Sequence, residues 1–204
     1  MFDFGTVGFR KIEKTDLGYL VDLKHETWGS THQVTICSME DQIRWFESLD
    51  TDVHNPRDLV LMCYGNNCEE QSSNFIGPIG ISKILRANYR NRSADVGWDI
   101  FARYRKQGWG KKMVQAGVQF CFKILGLQRL NAEILIDNSA SIKCAYDSGF
   151  VNEGIKRCAV FRDGYFVDVL IFGALESDRR SLQSEKDEVS SDNSSIQQEV
   201  IHVK

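Results

Sequence analysis

The chain has 204 residues, of which 42% are apolar and 26% charged, a balance typical of a globular protein with one core of ordinary size. Its formal net charge of -3 argues against sequence-independent nucleic-acid binding, which requires a basic surface. No apolar run reaches the roughly 18 residues that a membrane-spanning helix needs. The first residues lack a basic stretch followed by an apolar segment, so we expect no secretion signal and a cytoplasmic location.

Cysteine and histidine spacing predicts no metal site. The six cysteines form no CxxC pair, and the four histidines do not complete a zinc ligand set. We therefore expect free, mostly buried thiols at Cys37, Cys63, Cys68, Cys121, Cys144 and Cys158.

The first half of the chain predicts a strand, two helices and a strand hairpin. Residues 7–14 alternate like a strand, and residues 15–28 carry apolar side chains at helical spacing. Ser38 and Asp41 resemble a capping box at the start of a second helix, whose apolar positions are Ile43, Trp45, Phe46 and Leu49.

The hairpin comprises residues 58–64 and 75–84 around a polar turn at 65–74, and Pro78 indicates an irregularity or an edge.

The second half predicts a strand–helix–strand crossover followed by a short helix and a second hairpin. The helix carries Met113, Gly117, Phe120 and Ile124 at helical spacing and ends at Gly126. The other predicted elements are strands 94–101 and 129–136, helix 139–149, and strands 150–161 and 165–175 joined by the turn 162–164. This order favours an α+β fold, with a mixed sheet flanked by helices.

Composition changes after Glu176. Residues 177–204 are rich in serine, glutamine and charge and poor in large apolar residues. We expect one folded domain over 1–176 and a disordered tail over 177–204.

The loop before the long helix, RYRKQGWGKK at 103–112, carries glycines and cations at a helix start. Such a start presents unpaired N–H groups and a partial positive charge, so it can bind a phosphate. A tight turn ahead of a helix is the simpler interpretation. A Walker loop would need Ser or Thr where Lys112 stands, and a dinucleotide fingerprint would need glycine at Met113.

Three motifs in order make the sequence resemble the GNAT superfamily of N-acetyltransferases. Residues 105–110, RKQGWG, fit R/Q-x-x-G-x-G/A, the acetyl-CoA pyrophosphate loop of that family. Residues 138–154 resemble its N-x-x-S/A … G-F-x-x-E-G segment, and residues 162–175 its closing hairpin. The resemblance covers about 94–175 by motif and 7–93 by element order, and it does not extend to the tail.

The resemblance implies a cofactor site for acetyl-CoA in a sheet that splays beside strand 94–101, with no metal. Backbone groups of Trp98, Asp99 and Ile100 are expected to pair with the pantetheine arm. The expected pyrophosphate-binding and neighbouring cofactor-binding residues are Arg105, Lys106, Gln107, Gly108, Trp109, Gly110 and Asn138.

Acetyl transfer needs a proton acceptor for the amine and an acid for the leaving thiolate. Many relatives supply the acid as a tyrosine seven residues after the asparagine, where this chain has Ala145. Tyr146 is the neighbouring alternative, although one helical step turns a side chain by about 100°. Ala145 together with Ser141 resembles the branch of ribosomal-protein N-terminal acetyltransferases, in which the serine is assigned to thiol protonation. The simpler role of Ser141 is hydrogen bonding to helix backbone.

Asp95, ten residues before Arg105, stands where relatives often carry a glutamate that faces the acceptor. It is our candidate to hold or deprotonate the amine, and pairing with an arginine is its simpler role. His25 and Glu26 are further candidates for the acceptor side, and Glu153 is expected to be structural.

The acceptor is left open as a peptide N-terminus, an amino sugar or a small amine. Residues 28–46 are expected to wall the acceptor site, and their few acids argue against a polyamine. The main prediction is an N-acetyltransferase that works by direct attack in a ternary complex, with a homodimer as a possible assembly. The alternatives are a catalytically silent acyl-CoA-binding module and an interaction protein that uses the tail.

Overall fold

A computed structural model describes residues 1–27, 37–49, 52, 56–66 and 75–178. The strands are β1 (Phe2–Asp3), β2 (Val7–Lys11), β3 (Leu59–Asn66), β4 (Phe75–Asn88), β5 (Ser93–Ile100), β6 (Arg129–Leu135), β7 (Val151–Arg162) and β8 (Tyr165–Leu175). The helices are α1 (Leu17–Thr27), α2 (Met39–Glu47), α3 (Trp109–Gln119) and α4 (Ser139–Asp147).

All eight strands form one sheet in the order β1-β2-β3-β4-β5-β6-β8-β7. Every neighbouring pair is antiparallel except β5 and β6, which run parallel and are connected through α3. The predicted mixed α+β sheet is therefore confirmed. The prediction missed β1, because two residues paired with Phe9 and Gly8 are too short to show a period.

Helices cover both faces of the sheet. One core cluster packs α3 and α4 against it and includes Met113, Ala145 and Phe172, each completely buried. A second cluster packs α1 and α2 on the opposite face, around Leu20 and Met62. Because β3 lies between both clusters, its sequence LVLMC is apolar without alternation.

The helix boundaries follow the predicted local signals. Ser38 Oγ accepts a hydrogen bond from the Asp41 backbone N–H at 3.1 Å, and the Asp41 carboxylate accepts from the Ser38 N–H at 3.0 Å, which confirms the capping box. The four predicted apolar positions of this region pack into the second cluster. Beyond α3, residues Phe120–Ile124 continue as one wide turn of π-helix, and Gly126 then adopts a φ of +64°.

Two turns also behave as the sequence indicates. The pairing between β3 and β4 shifts its register beside Pro78, so the expected irregularity is a bulge. Asp163 and Gly164 take φ angles of +52° and +89° between the paired residues Arg162 and Tyr165, which confirms the second hairpin.

Three predictions reach beyond the described residues: the turn 67–74, the acceptor wall over 28–36 and the tail from 179 onward. Within the described ranges, no helix is long and apolar enough to cross a membrane. The same ranges hold no cluster of three or more potential metal ligands.

Candidate active site

The sheet opens between β5 and β6. Their ladder consists of three residue pairs, from Ser93 with Arg129 to Asp95 with Asn131. Beyond Asp95 both strands continue, β5 to Ile100 and β6 to Leu135, without pairing to each other in this part of the described chain. The result is the splayed sheet that the family resemblance implies, with backbone groups of β5 facing a gap.

Hydrogen bonding to β4 determines which β5 groups face that gap. The N–H of Phe101 donates to the Ile79 carbonyl at 3.1 Å, so Phe101 directs its backbone toward β4. Because successive residues of a strand alternate, Asp99 also faces β4, whereas Trp98 and Ile100 face the gap. The backbone groups of Trp98 and Ile100 therefore border the gap, whereas those of Asp99 pair with β4.

Helix α3 begins at the open end of the gap without a side-chain cap. Its N-cap residue is Gly108, which has a φ of +82°, and no atom lies within 4 Å of the place that a Cβ would occupy there. By contrast, Ser38 caps α2 and Asn138 caps α4 through its side-chain oxygen. No side chain among the described residues caps the first N–H groups of α3, so these groups can bind an anion.

The side chains of the loop before α3 serve different purposes. Arg105 donates from Nε to the Ile100 carbonyl at 3.1 Å and from a terminal nitrogen to the Glu26 carbonyl at 3.3 Å. Gln107 donates to the Arg103 carbonyl at 2.7 Å, while Lys106 is exposed with a φ of +59°. Arg105 thus ties the loop to β5 and α1, and Lys106 presents the exposed positive charge.

Trp109 packs on the sheet. A Cβ placed on Gly65 of β3 would lie 2.9 Å from Cη2 of Trp109, and the ammonium of Lys112 lies 4.7 Å from the centre of the indole ring. One residue further, a Cβ on Gly110 would lie 3.3 Å from the Sγ of Cys144 in α4. Glycine at 65 and 110 therefore lets α3 settle closely against the sheet and α4.

Trp98 lines a small cavity between the sheet and α3. Its Nε1 is buried without a hydrogen-bond partner among the described residues. The cavity is lined by Ser82, Val96, Trp98, Val114, Gly117, Val118, Cys121 and Leu130. An open backbone edge and a glycine-capped helix start fit an extended, amide-containing ligand that ends in phosphates.

Asp95 lies at the last rung of the β5–β6 ladder and is held on two sides. Its carboxylate forms an ion pair with Arg86 of β4 and accepts a hydrogen bond from the Asn131 side-chain amide at 3.1 Å. The arginine partner that sequence reasoning considered as the simpler role is therefore present, alongside an amide partner across the strand junction.

The candidates on α4 differ in their surroundings. Asn138 accepts the Ser141 backbone N–H at 3.1 Å, so both residues form the first turn of the helix. Ala145, at the position of the family tyrosine, is completely buried in the core. Tyr146 is 54% exposed and packs edge-on against Phe172, with ring centres 5.3 Å apart. The side chain of Tyr146 thus points in a different direction from that of Ala145.

Glu26 of α1 is used by the backbone of the adjoining loop. Its carboxylate accepts the Ala102 N–H at 2.7 Å, just after β5 ends. His25, beside it, is exposed. Together with Arg105, Glu26 attaches the end of α1 to the end of β5.

The face of the sheet opposite α3 carries a row of ion pairs, of which sequence reasoning considered only an arginine partner for Asp95. Asp95, Asp99, Glu133 and Glu153 share this face, and each pairs with a basic residue: Arg86, Lys83, Lys156 and Arg129, respectively. The hydrogen bond between Arg129 and Glu153 also lowers the pKa of Glu153. The pairs depend on strand register, which residue spacing alone does not reveal.

Comparison with known proteins agrees with this arrangement. The family model for the acetyltransferase (GNAT) domain matches residues 6–151. The uncharacterized N-acetyltransferase p20 of Bacillus licheniformis is 29% identical over 136 residues, which cover 62% of this chain and 75% of p20. The spermidine N(1)-acetyltransferase of Vibrio cholerae is 25% identical over 99 residues, which cover 48% of this chain and 57% of that protein.

The fold is also that of a solved structure. A crystal structure of spermidine N-acetyltransferase from Vibrio cholerae in complex with CoA and spermine superposes with a TM-score of 0.73 and 19% identity, covering 85% of this chain and 97% of that one. The chain belongs to the GNAT acetyltransferase family. It is an N-acetyltransferase with acetyl-CoA as the acyl donor.

Proposed function

We propose that the protein transfers an acetyl group from acetyl-CoA to the primary amine of a protein N-terminus, an amino sugar or a small amine, by direct attack in a ternary complex. The observation that carries this proposal is the uncapped start of α3 at Gly108, beside the open edge of β5. These two features supply an anion site and an extended hydrogen-bonding edge, and Arg105 ties the loop between them to the end of β5.

The cofactor-binding roles follow from the groups that face the groove. In this proposal the N–H groups from Gln107 to Gly110 hold the pyrophosphate, and the exposed Lys106 adds positive charge. Backbone groups of Trp98 and Ile100 hold the pantetheine arm. Arg105 acts as a positioning residue for the loop, Trp109 packs beneath it, and Asn138 supports the site from the start of α4.

Acetyl transfer from acetyl-CoA requires few protein groups other than those that accept and donate protons. Acetyl-CoA supplies an activated acetyl group, and the amine must be neutral to attack it. Asp95 is our candidate to hold the amine or accept its proton through water, and its contact with Asn131 keeps the carboxylate at the apex of the gap. Ser141 is the first candidate for protonating the leaving group, and Tyr146 is the second.

The acceptor is proposed from the residues of α4 and from sequence similarity, which are weaker evidence than the geometry of the cofactor site. Ala145 with Ser141 favours the branch that acetylates ribosomal-protein N-termini. A polyamine is the second candidate, supported by the 25% identity to a spermidine N(1)-acetyltransferase. We further propose that residues 1–176 form the catalytic domain of a cytoplasmic enzyme that assembles as a homodimer. Truncation after residue 176 tests the domain boundary, and sedimentation tests the homodimer.

The first test is calorimetric titration of the full chain and Gly108→Glu with acetyl-CoA and CoA. Glutamate places a negative charge at the pyrophosphate site, so binding is expected to be lost. Gly164→Glu is the matched control, because both glycines have a positive φ and no neighbour within 4 Å of a Cβ, so both variants carry a similar backbone strain of about 1–2 kcal/mol. Equal binding by both variants would contradict the proposed site.

Turnover separates the enzyme from a silent acyl-CoA-binding module. Thiol release is measured with acetyl-CoA and a panel of peptides that begin with Ser or Ala, amino sugars, monoamines and spermidine. Binding of acetyl-CoA without turnover of any acceptor would favour the silent module.

A further inference from the structure

Lys83 and Asp99 form an ion pair between neighbouring strands beside the gap. Nζ of Lys83 on β4 lies 2.6 Å from Oδ2 of Asp99 on β5. The Asp99 side chain is 12% exposed and that of Lys83 30%. The pair is thus shielded enough from water to keep its geometry, and it is exposed enough to interact electrostatically with a ligand bound nearby.

The pair lies on the face from which an acceptor can approach. Val96 and Trp98 direct their side chains into the core beneath α3, so Gly97 and Asp99 point to the opposite face. Under the proposed function, a cofactor held by α3 and the β5 edge leaves the opposite face of the sheet to the amine. Asp99 is therefore the carboxylate on β5 next to Trp98 and Ile100, whose backbones border the gap.

Lys83 lies opposite Gly97 in the pairing of β4 with β5. A Cβ on Gly97 would lie 3.4 Å from Cε of Lys83, an ordinary van der Waals distance, so the lysine chain passes over the glycine on its way to Asp99. Lys83 thereby places its charge on the acceptor face itself.

The charges on this face are balanced. Asp95, Glu133 and Glu153 are paired as Asp99 is, so four carboxylates meet four basic side chains. A polyamine carries several ammonium groups, and each that enters a site gains most from a carboxylate that lacks another cation. Among the described strand residues, this balanced row offers no such partner for a second ammonium group, and the Glu26 carboxylate of α1 is already held by the Ala102 N–H.

We infer that Lys83 is a specificity-determining residue: by neutralising Asp99 on the acceptor face, it selects acceptors with a single amine over polyamines. This inference rests on the proposed function and favours its single-amine acceptors over a polyamine. Asp99 becomes available as a counter-charge only when Lys83 is absent. Removal of this lysine, which lies outside the cofactor loop, should therefore raise the affinity for a polyamine.

The test is calorimetric titration of spermidine into the full chain, with and without saturating CoA. Lys83→Met is expected to bind spermidine at least about tenfold more tightly than the parent, because the Asp99 carboxylate loses its lysine partner and can pair with an ammonium group of spermidine. The double variant Lys83→Met/Asp99→Asn is expected to lose that gain, and Lys83→Arg to resemble the parent. Lys11→Met, which removes an exposed lysine of β2, is the control for net charge.

Ionic strength gives a readout that a purely structural effect would not produce. The gain in Lys83→Met should shrink as NaCl rises, since salt screens charges beyond about 8–10 Å. A parent that binds spermidine as tightly as Lys83→Met, or a gain that persists without Asp99, would overturn the inference. Because this readout needs no turnover, failure of the proposed function is seen separately, as absence of thiol release with every acceptor.

Discussion

The Nε of Arg105 donates to the carbonyl of Ile100 at 3.1 Å, and this bond joins the loop before α3 to the last residue of β5. The same guanidinium reaches the Glu26 carbonyl on α1. Arg105 therefore orients the open N–H groups of α3 relative to the gap, and its positive charge is directed into the protein.

Replacing Arg105 should reveal that positioning role. We expect Arg105→Ala to weaken CoA binding about tenfold, the equivalent of one charge-assisted hydrogen bond. Lys106→Ala removes an exposed, screened charge in the same loop, so it is expected to weaken binding only about twofold. Calorimetric titration with CoA measures both. A larger loss in Lys106→Ala would show that loop charge, and not the tie to β5, governs binding.

Gly65 and Trp109 form a second tight contact beneath the loop. Gly65→Ala would bring Cβ to 2.9 Å from the indole, and we expect it to lower the free energy of unfolding by about 1–3 kcal/mol through overpacking. Gly18→Ala in α1, where a Cβ meets nothing within 4 Å, should instead stabilise by about 0.5–1 kcal/mol. Urea unfolding gives both values, and a neutral Gly65→Ala would contradict the close packing of Trp109.

Ser141 and Tyr146 are separated by kinetics. If Ser141 protonates the leaving group, Ser141→Ala lowers kcat about 100-fold at constant KM for acetyl-CoA. Tyr146→Phe keeps the ring on Phe172 and is expected to change kcat by less than about twofold. The opposite ranking of the two variants in a thiol-release assay would transfer the role to Tyr146.

Asp16 should make stability depend on pH. Burial raises the pKa of this carboxyl, but hydrogen bonds from the Arg10 guanidinium and the Glu13 N–H outweigh burial, so its pKa lies below the usual value. A depressed folded-state pKa adds stability that is complete above about pH 4 and is lost as the pH falls through the folded value.

Asp16→Asn is accordingly expected to lower the free energy of unfolding by about 3 kcal/mol at pH 7 and by less at acid pH. Denaturant unfolding between pH 2 and pH 7 measures the difference as a function of pH. Asp22→Asn, which changes an exposed carboxylate of α1, is the control and should alter stability by less than about 0.5 kcal/mol. Parallel pH curves for the parent and Asp16→Asn would contradict the role of the Arg10 pair.

Local signals in the sequence predicted much of the fold and indicated the glycine-capped start of α3. The Ser38 and Asp41 box, the glycine-rich loop before α3 and the Asp163–Gly164 turn each depend on backbone conformation within a few residues, which residue types report directly. Strand β1 was not predicted, because two residues are too few to show the alternating pattern of a strand.

Contacts between residues that are far apart in the sequence could not be predicted from the sequence. The partners of Asp95 and Asp99 depend on the register of β4 against β5, and a register shift of one residue would have turned both side chains to the other face. The loop motif likewise suggested Arg105 as a phosphate ligand, because spacing alone could not show that its guanidinium is occupied by two carbonyl groups.

The three rungs between β5 and β6 also have a mechanical meaning. The two halves of the sheet are joined at β5 and β6, and they separate beyond the pair Asp95 and Asn131. A force that pulls the two strands apart acts first on this last pair, where the Asn131 amide and the Asp95 carboxylate add a side-chain hydrogen bond. We expect a ligand that bonds along the open edge of β5 and also contacts β6 to act as further rungs, so filling the gap should couple the unfolding of the two halves of the sheet.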